Sequence, residues 1–137
     1  MTDELQGRVA LITGAAQGQG RATALALARR GMHIAALDVA RQLEYPGYAL
    51  GTSEALESLV CECQALGVSA LGFAADVRDD AAVSAAVAQV VARWDRLDLL
   101  FNNAGICGYG LAHELTEQAW DAMLDINLKG AWIVARR

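Results

Sequence analysis

Apolar positions along the chain alternate between short unbroken runs and longer stripes with the 3.6-residue period of a helix. Residues 9–13 (Val-Ala-Leu-Ile-Thr) form the first run, as expected of a strand covered on both faces. Residues 18–30 are rich in Ala and Leu and predict a helix that Gly31 stops. A second strand over residues 33–37 ends at Asp38. A helix over residues 53–66 follows, capped by Thr52 or Ser53 and stopped by Gly67. Residues 70–75 predict a third strand, weakened by Gly72 and ending at Asp76. Asp79 then caps a helix to about Trp94, with Val83, Val87, Val90, Val91 and Trp94 as its stripe. Residues 97–101 predict a fourth strand running into Asn102 and Asn103, and Thr116 caps a last helix that continues to Arg137.

The order is βαβαβαβα. Strands alternating with helices of this length require right-handed crossovers, hence an α/β fold with a doubly wound parallel sheet between two helical layers. One stretch breaks the pattern. Residues 39–51, with Tyr45-Pro46-Gly47-Tyr48, exceed the roughly two to six residues usual between a strand and a helix and read as an insertion.

Composition narrows the function classes. A chain of 137 residues makes one domain, and 55% hydrophobic residues exclude a disordered, charge-dominated segment. Lys and Arg number 11 against 16 Asp and Glu, a net charge of −5. With no basic cluster, nucleic acid and anionic membranes are not expected partners. The longest stretch without a charged side chain, residues 99–113, is broken by Asn and Gly, so no membrane span is expected. Asp3 and Glu4 stand where a secretory signal wants positive charge, which predicts a cytoplasmic protein. Cys61, Cys63 and Cys107 show no metal-ligand spacing, so no metal is expected. Cys61 and Cys63 point to different faces of their helix.

Candidate chemistry gathers where strands end. The first strand runs into Thr13-Gly14-Ala15-Ala16-Gln17-Gly18-Gln19-Gly20 and then directly into a helix. Glycines there let an anionic group approach backbone N–H donors, and the helix N-terminus adds partial positive charge. A simple connecting turn is the alternative. The spacing is not GxGxxG, because residue 23 is Thr, nor that of a P-loop. Asp38, at the end of the second strand, suits the two hydroxyls of a ribose. Val39 and Ala40 follow it instead of Arg or Lys, which favours NAD over NADP. Asp76 and Asn102-Asn103 end the third and fourth strands, on the carboxyl edge where open α/β sheets bind ligands. On the last helix, Trp120, Met123, Leu124, Ala131 and Val134 predict an apolar face with Asn127 in its middle, an amide that needs partners. A structural asparagine satisfied by backbone is the alternative reading.

Together these motifs resemble the N-terminal half of the short-chain dehydrogenase/reductase family. The TGxxxGxG stretch is Thr13 to Gly20, the ribose acid is Asp38, the adenine pair is Asp76-Val77, and NNAG is Asn102-Asn103-Ala104-Gly105. The resemblance implies a Rossmann-type sheet in the order 3-2-1-4. It implies NAD held by Thr13, Gly14, Gln17, Gly18, Gln19, Gly20, Asp38, Val39, Asp76, Val77, Asn103, Ala104 and Gly105, with Asn127 as the catalytic asparagine of a proton relay. It further implies hydride transfer with a small alcohol or ketone, and a homo-oligomer, dimer or tetramer, at full length. The insertion and the Gln17-Gly18-Gln19-Gly20-Arg21 stretch are similar to the mycofactocin-associated subgroup, which implies NAD held tightly under such a loop.

One part of the family pattern is not found. The single lysine, Lys129, has Asp125 four residues before it, and Tyr45, Tyr48 and Tyr109 are followed at that spacing by Ala49, Thr52 and His113. The Tyr-x-x-x-Lys pair and its Ser are therefore missing, and residues 1–137 read as an NAD-binding Rossmann domain incomplete at its C-terminus. Tyr109 and His113 read as parts of a Gly-rich loop. A non-catalytic dinucleotide-binding module and an interaction fragment are the other readings of such a chain.

Overall fold

The two most apolar runs become the two inner strands of a parallel sheet. In the computed structural model, which describes residues 4–137, β1 (Val9–Thr13) is buried throughout and β2 (His33–Asp38) nearly so. The outer strands, β3 (Ala70–Ala74) and β4 (Leu99–Phe101), are less covered: Ala70 is buried, and the other positions are half-buried or exposed. The sheet order is β3-β2-β1-β4, with Val9 opposite His33, Asp38 opposite Ala74 and Ile12 opposite Phe101. This is the expected 3-2-1-4 order.

Helices cover both faces. α1 (Gly18–Arg29) and α2 (Ser53–Ala65) pack Ala24, Ala28, Leu56 and Leu59 onto Ala10, Ile12, Ile34 and Ala36. On the other face, α3 (Asp80–Trp94) brings Val83, Ala86 and Val90 onto Val9, Leu11, Ala35 and Leu37. The same face takes Ile126, Ile133 and Val134 from the end of the chain. Thr52 caps α2, its hydroxyl accepting from the Ala55 N–H at 3.1 Å. Asp79 and Thr116 cap α3 and α4 (Glu117–Leu124) in the same way.

Some boundaries differ from expectation for local reasons. β4 starts at Leu99, not at residue 97, because the Asp98 carboxylate takes the Val9 N–H at 2.8 Å in place of a strand partner. β3 ends at Ala74, and Val91 turns outward from the α3 stripe. Cys63 is buried and Cys61 exposed, as their spacing on one helix dictates.

The last helix is corrected more substantially. It is not one α-helix to Arg137. α4 passes into a π-helical turn (Asp125–Gly130) and then α5 (Ala131–Ala135). The buried face is Ala119, Ile126, Gly130, Ile133 and Val134, one position earlier than the predicted stripe, so Trp120 and Leu124 are exposed and Asn127 is not buried. The helix carries two apolar stripes, and the one with smaller residues wins because it permits a close approach. A Cβ on Gly130 would lie 2.6 Å from Val77 Cγ2. Among the described residues, no helix is long and apolar enough to cross a membrane, and no three His, Cys, Asp or Glu side chains could share a metal ion.

Candidate functional site

Four loops and the π turn meet at the carboxyl edge of the sheet around a cavity of about 280 Å³. Gly14, Gln17, Gly18 and Gln19 line it after β1, Asp38 and Val39 after β2, Ala75, Asp76 and Val77 after β3, and residues 103–106 after β4. Gly14 adopts φ +64°, and a Cβ on it would press to 3.0 Å from Ala104 Cα. A Cβ on Gly20 would lie 2.1 Å from the Gly14 carbonyl oxygen. The loop after β1 thus folds against the loop after β4 with no room for side chains. No side chain caps α1 at Gln17, so its N-terminal N–H groups and their partial positive charge face the cavity.

Two predicted residues act behind the cavity wall instead of lining it. Thr13 is fully buried, and its hydroxyl accepts from the N–H groups of Asn103 and Ala104, both at 2.9 Å. Asn103 answers by donating its side-chain amide to the carbonyls of Thr13 and Gly14 at 3.1 and 3.3 Å. Gly20 makes the close approach just described. Thr13 thus ties the loop after β1 to the loop after β4, and Gly20 lets the first of these close on itself at Gly14.

Asp38 lines the cavity as a largely buried carboxylate. Its Oδ2 accepts from the Ala16 N–H at 2.9 Å and its Oδ1 from the Ala40 N–H at 3.0 Å. Asp76 is gripped by Arg78, whose Nε and backbone N–H each donate to Oδ1 at 3.0 Å while Nη2 donates to Oδ2 at 2.6 Å. Burial pushes the Asp76 carboxyl up, but the hydrogen bonds from Arg78 and the charges of Arg78 and Arg41 outweigh it. The net displacement is below the ordinary carboxylate value.

Asn127 does not line the cavity. Its Oδ1 accepts from the Ile106 N–H and its Nδ2 donates to the Ile106 carbonyl, both at 2.8 Å, so the amide pairs with one backbone residue of the loop after β4. Asn102 secures the same helix by donating to the Ala131 carbonyl at 2.7 Å.

The insertion supplies wall residues that motif spacing did not reveal. Leu43, Leu50 and Gly51 line the cavity together with Ala104 and Gly105. Tyr48 Oη accepts from the Cys107 N–H at 2.9 Å, and the Tyr45 hydroxyl lies against Gly108, where a Cβ would meet it at 1.7 Å. Residues 39–51 therefore reach across to the loop after β4. The available signal was Leu43 and Leu50, two apolar residues within an irregular stretch. Tyr109 and His113 are exposed and do not join the cavity.

The short chain dehydrogenase family model matches residues 8–137. The chain belongs to this family. Within it, (-)-trans-carveol dehydrogenase of Rhodococcus erythropolis is 41% identical over 133 residues, covering 96% of this chain and 48% of that protein. Among solved structures, carveol dehydrogenase from Mycobacterium avium in complex with NAD superimposes with a TM-score of 0.94 at 36% identity, over 98% of this chain and 49% of that one. A short chain dehydrogenase from Mycobacterium paratuberculosis bound to NAD gives 0.93 at 34% identity, over 97% and 49%. The chain spans about half the length of the curated short-chain dehydrogenases that it matches.

Proposed function

We propose that this chain is the NAD-binding part of an oxidoreductase that moves a hydride between nicotinamide and the carbinol carbon of a secondary alcohol or its ketone. The observation that carries the reading is the convergence of the uncapped α1 N-terminus, the Asp38 carboxylate and Asn103-Ala104-Gly105 on one cavity. The residues present fit the cofactor. Gly18, with nothing where a Cβ would stand, leaves space beside the backbone N–H donors at the start of α1 for a diphosphate. Asp38 accepts from the ribose hydroxyls, and Asp76 and Val77 take the adenine. When bound, NAD supplies the hydride acceptor.

The protein's own part is to bind, orient and exclude water. Leu37, Val39, Leu43, Leu50 and Ile106 give the cavity its apolar walls. Asn127, tied to Ile106, holds the wall formed by the loop after β4 and stands as the proton-relay asparagine of the reading. Neither Tyr-x-x-x-Lys nor its partner Ser is found within residues 1–137. We therefore read these residues as one dinucleotide-binding unit of a longer polypeptide, with Asn127 as its part of the relay, and place the general base, its lysine and the substrate-orienting Ser outside them. The same reading makes the whole protein a cytoplasmic homo-oligomer acting on a small alcohol or ketone, with the 39–51 loop as its mark of similarity to the mycofactocin-associated subgroup.

Isothermal calorimetry of the chain with NAD tests the proposal. Nanomolar to micromolar binding is expected, without NADH formation from a panel of secondary alcohols. No heat of binding at millimolar NAD would overturn it.

A further inference from the structure

Residues 39–51 leave β2 and return to α2, and both of their ends close on the Asp38 carboxylate. At the outgoing end, Ala40 takes φ +52°, a left-handed conformation costly for a residue with a Cβ. It is held there by its N–H donating to Asp38 Oδ1 at 3.0 Å and by its carbonyl accepting from Ser53 Oγ at 3.3 Å. At the returning end, a Cβ on Gly51 would lie 3.0 Å from Asp38 Oδ1 and 2.7 Å from Ala16 Cβ. The two limbs are fastened to each other by Gln42, whose side-chain amide pairs with both the N–H and the carbonyl of Leu50 at 3.1 and 3.2 Å. With Ala16 donating to Oδ2, three backbone segments wall the carboxylate, and Asp38 is only 6% exposed although it borders the cavity.

Charge tells the same way. No Arg or Lys among the described residues lines the cavity. The nearest candidate in the loop, Arg41, faces Asp76 at 3.7 Å and lines a neighbouring cleft together with Arg78, Glu44, Asp121 and Asp125. A phosphate on the ribose 2′-oxygen is bulkier than a carboxylate and carries up to about two negative charges. Beside Asp38 it meets packed backbone and no cation.

Resting on the NAD reading above, we propose that the return of the loop at Gly51 sets cofactor choice by shape, so that the Asp38 charge is not the sole barrier to a 2′-phosphate. Asp38→Asn removes the repulsion at nearly the same size but gives up one of the two backbone N–H bonds from Ala16 and Ala40, so the NAD-to-NADP ratio, not either affinity alone, reads the shape contribution. Calorimetry with NAD and NADP, monitored by circular dichroism for folding, reads the ratio. The wild-type protein prefers NAD by about a hundredfold or more, and Asp38→Asn retains at least about a tenfold preference. Replacing residues 41–50 by a short Gly-Ser linker in the Asp38→Asn protein brings the two nucleotides within about threefold. A second variant does not depend on the shortened loop folding. Gly51→Ala drives a Cβ into Asp38 and Ala16, and weakens NAD at least about tenfold with its far-ultraviolet spectrum unchanged. Equal binding of NAD and NADP by Asp38→Asn alone, or unchanged NAD affinity in Gly51→Ala, overturns the proposal while leaving the dinucleotide reading intact. A wild-type protein that binds neither nucleotide overturns that reading itself.

Discussion

The Thr13 hydroxyl accepts two backbone N–H groups from the loop after β4 while the residue is fully buried at the end of β1. Thr13→Val keeps the shape and leaves both donors without a partner. At about 1–3 kcal/mol for each orphaned group, the change costs roughly 2–6 kcal/mol of stability, whereas Thr13→Ser costs under about 1 kcal/mol. Urea titration of the two variants side by side measures the difference, and equal midpoints would show that the hydroxyl holds nothing. Asp76 makes a pH-dependent contribution whose sign follows from its lowered carboxyl. In the unfolded chain this group titrates near about 3.9. The folded protein binds the ionised form more tightly, so the stabilisation is fully present above that value and is lost as pH falls through the lower folded value. The gap in melting temperature between wild type and Asp76→Asn is therefore widest near neutral pH and closes in strong acid. A gap that widens on acidification would contradict the Arg78 grip as its source.

At the scale of elements, the sheet was legible because its signals agree locally. The apolar runs of β1 and β2 have no other stable use than burial, and caps such as Asp79 and Thr116 mark starts that the hydrogen bonds reproduce. The π turn was not legible. Its sequence, Asp-Ile-Asn-Leu-Lys-Gly, continues a helical pattern, and what selects its register lies elsewhere in the chain, in Ile106, Val77 and Asn102. The loop over residues 39–51 was visible as a length anomaly, but its path across the cavity depends on contacts made by Tyr45 and Tyr48 more than fifty residues away in sequence. The Asn127 pairing has a direct test. Asn127→Ala strips two hydrogen bonds from the nearly buried Ile106 and costs about 1–3 kcal/mol. Leu128→Ala, one residue along and largely exposed, changes stability by less than about 0.5 kcal/mol. Thermal unfolding of both, in one buffer, reads the contrast. Equal losses would mean that the π turn is held by generic helix packing.

On the scale of the whole molecule, the stripe that lost the competition for the core remains on the surface. Trp120, Leu124, Leu128 and Trp132 follow one another at helical spacing along α4, the π turn and α5, with Trp120 and Trp132 each more than half exposed. Arg136 lays its guanidinium 4.3 Å from the Trp132 ring, which shields one aromatic face and leaves the rest to solvent. At the sheet edge, β4 pairs only with β1 among the described residues, and Leu100 is partly exposed on the same side as the final helix. So many large apolar side chains exposed along one helix and the neighbouring sheet edge are unusual on a monomer. Aromatic side chains of roughly 150–250 Å² each, at about 25 cal/mol per Å², make covering two tryptophans and two leucines worth several kcal/mol. The chain of residues 1–137 is therefore expected to self-associate at micromolar concentration. Light scattering coupled to size exclusion measures this, and Trp120→Glu with Trp132→Glu, which touches neither the cavity nor the core, shifts the population toward 14.5 kDa. A wild-type chain that elutes as a 14.5 kDa monomer with a sharp thermal transition would show that this surface tolerates water and that the fold needs no cover over its final helix.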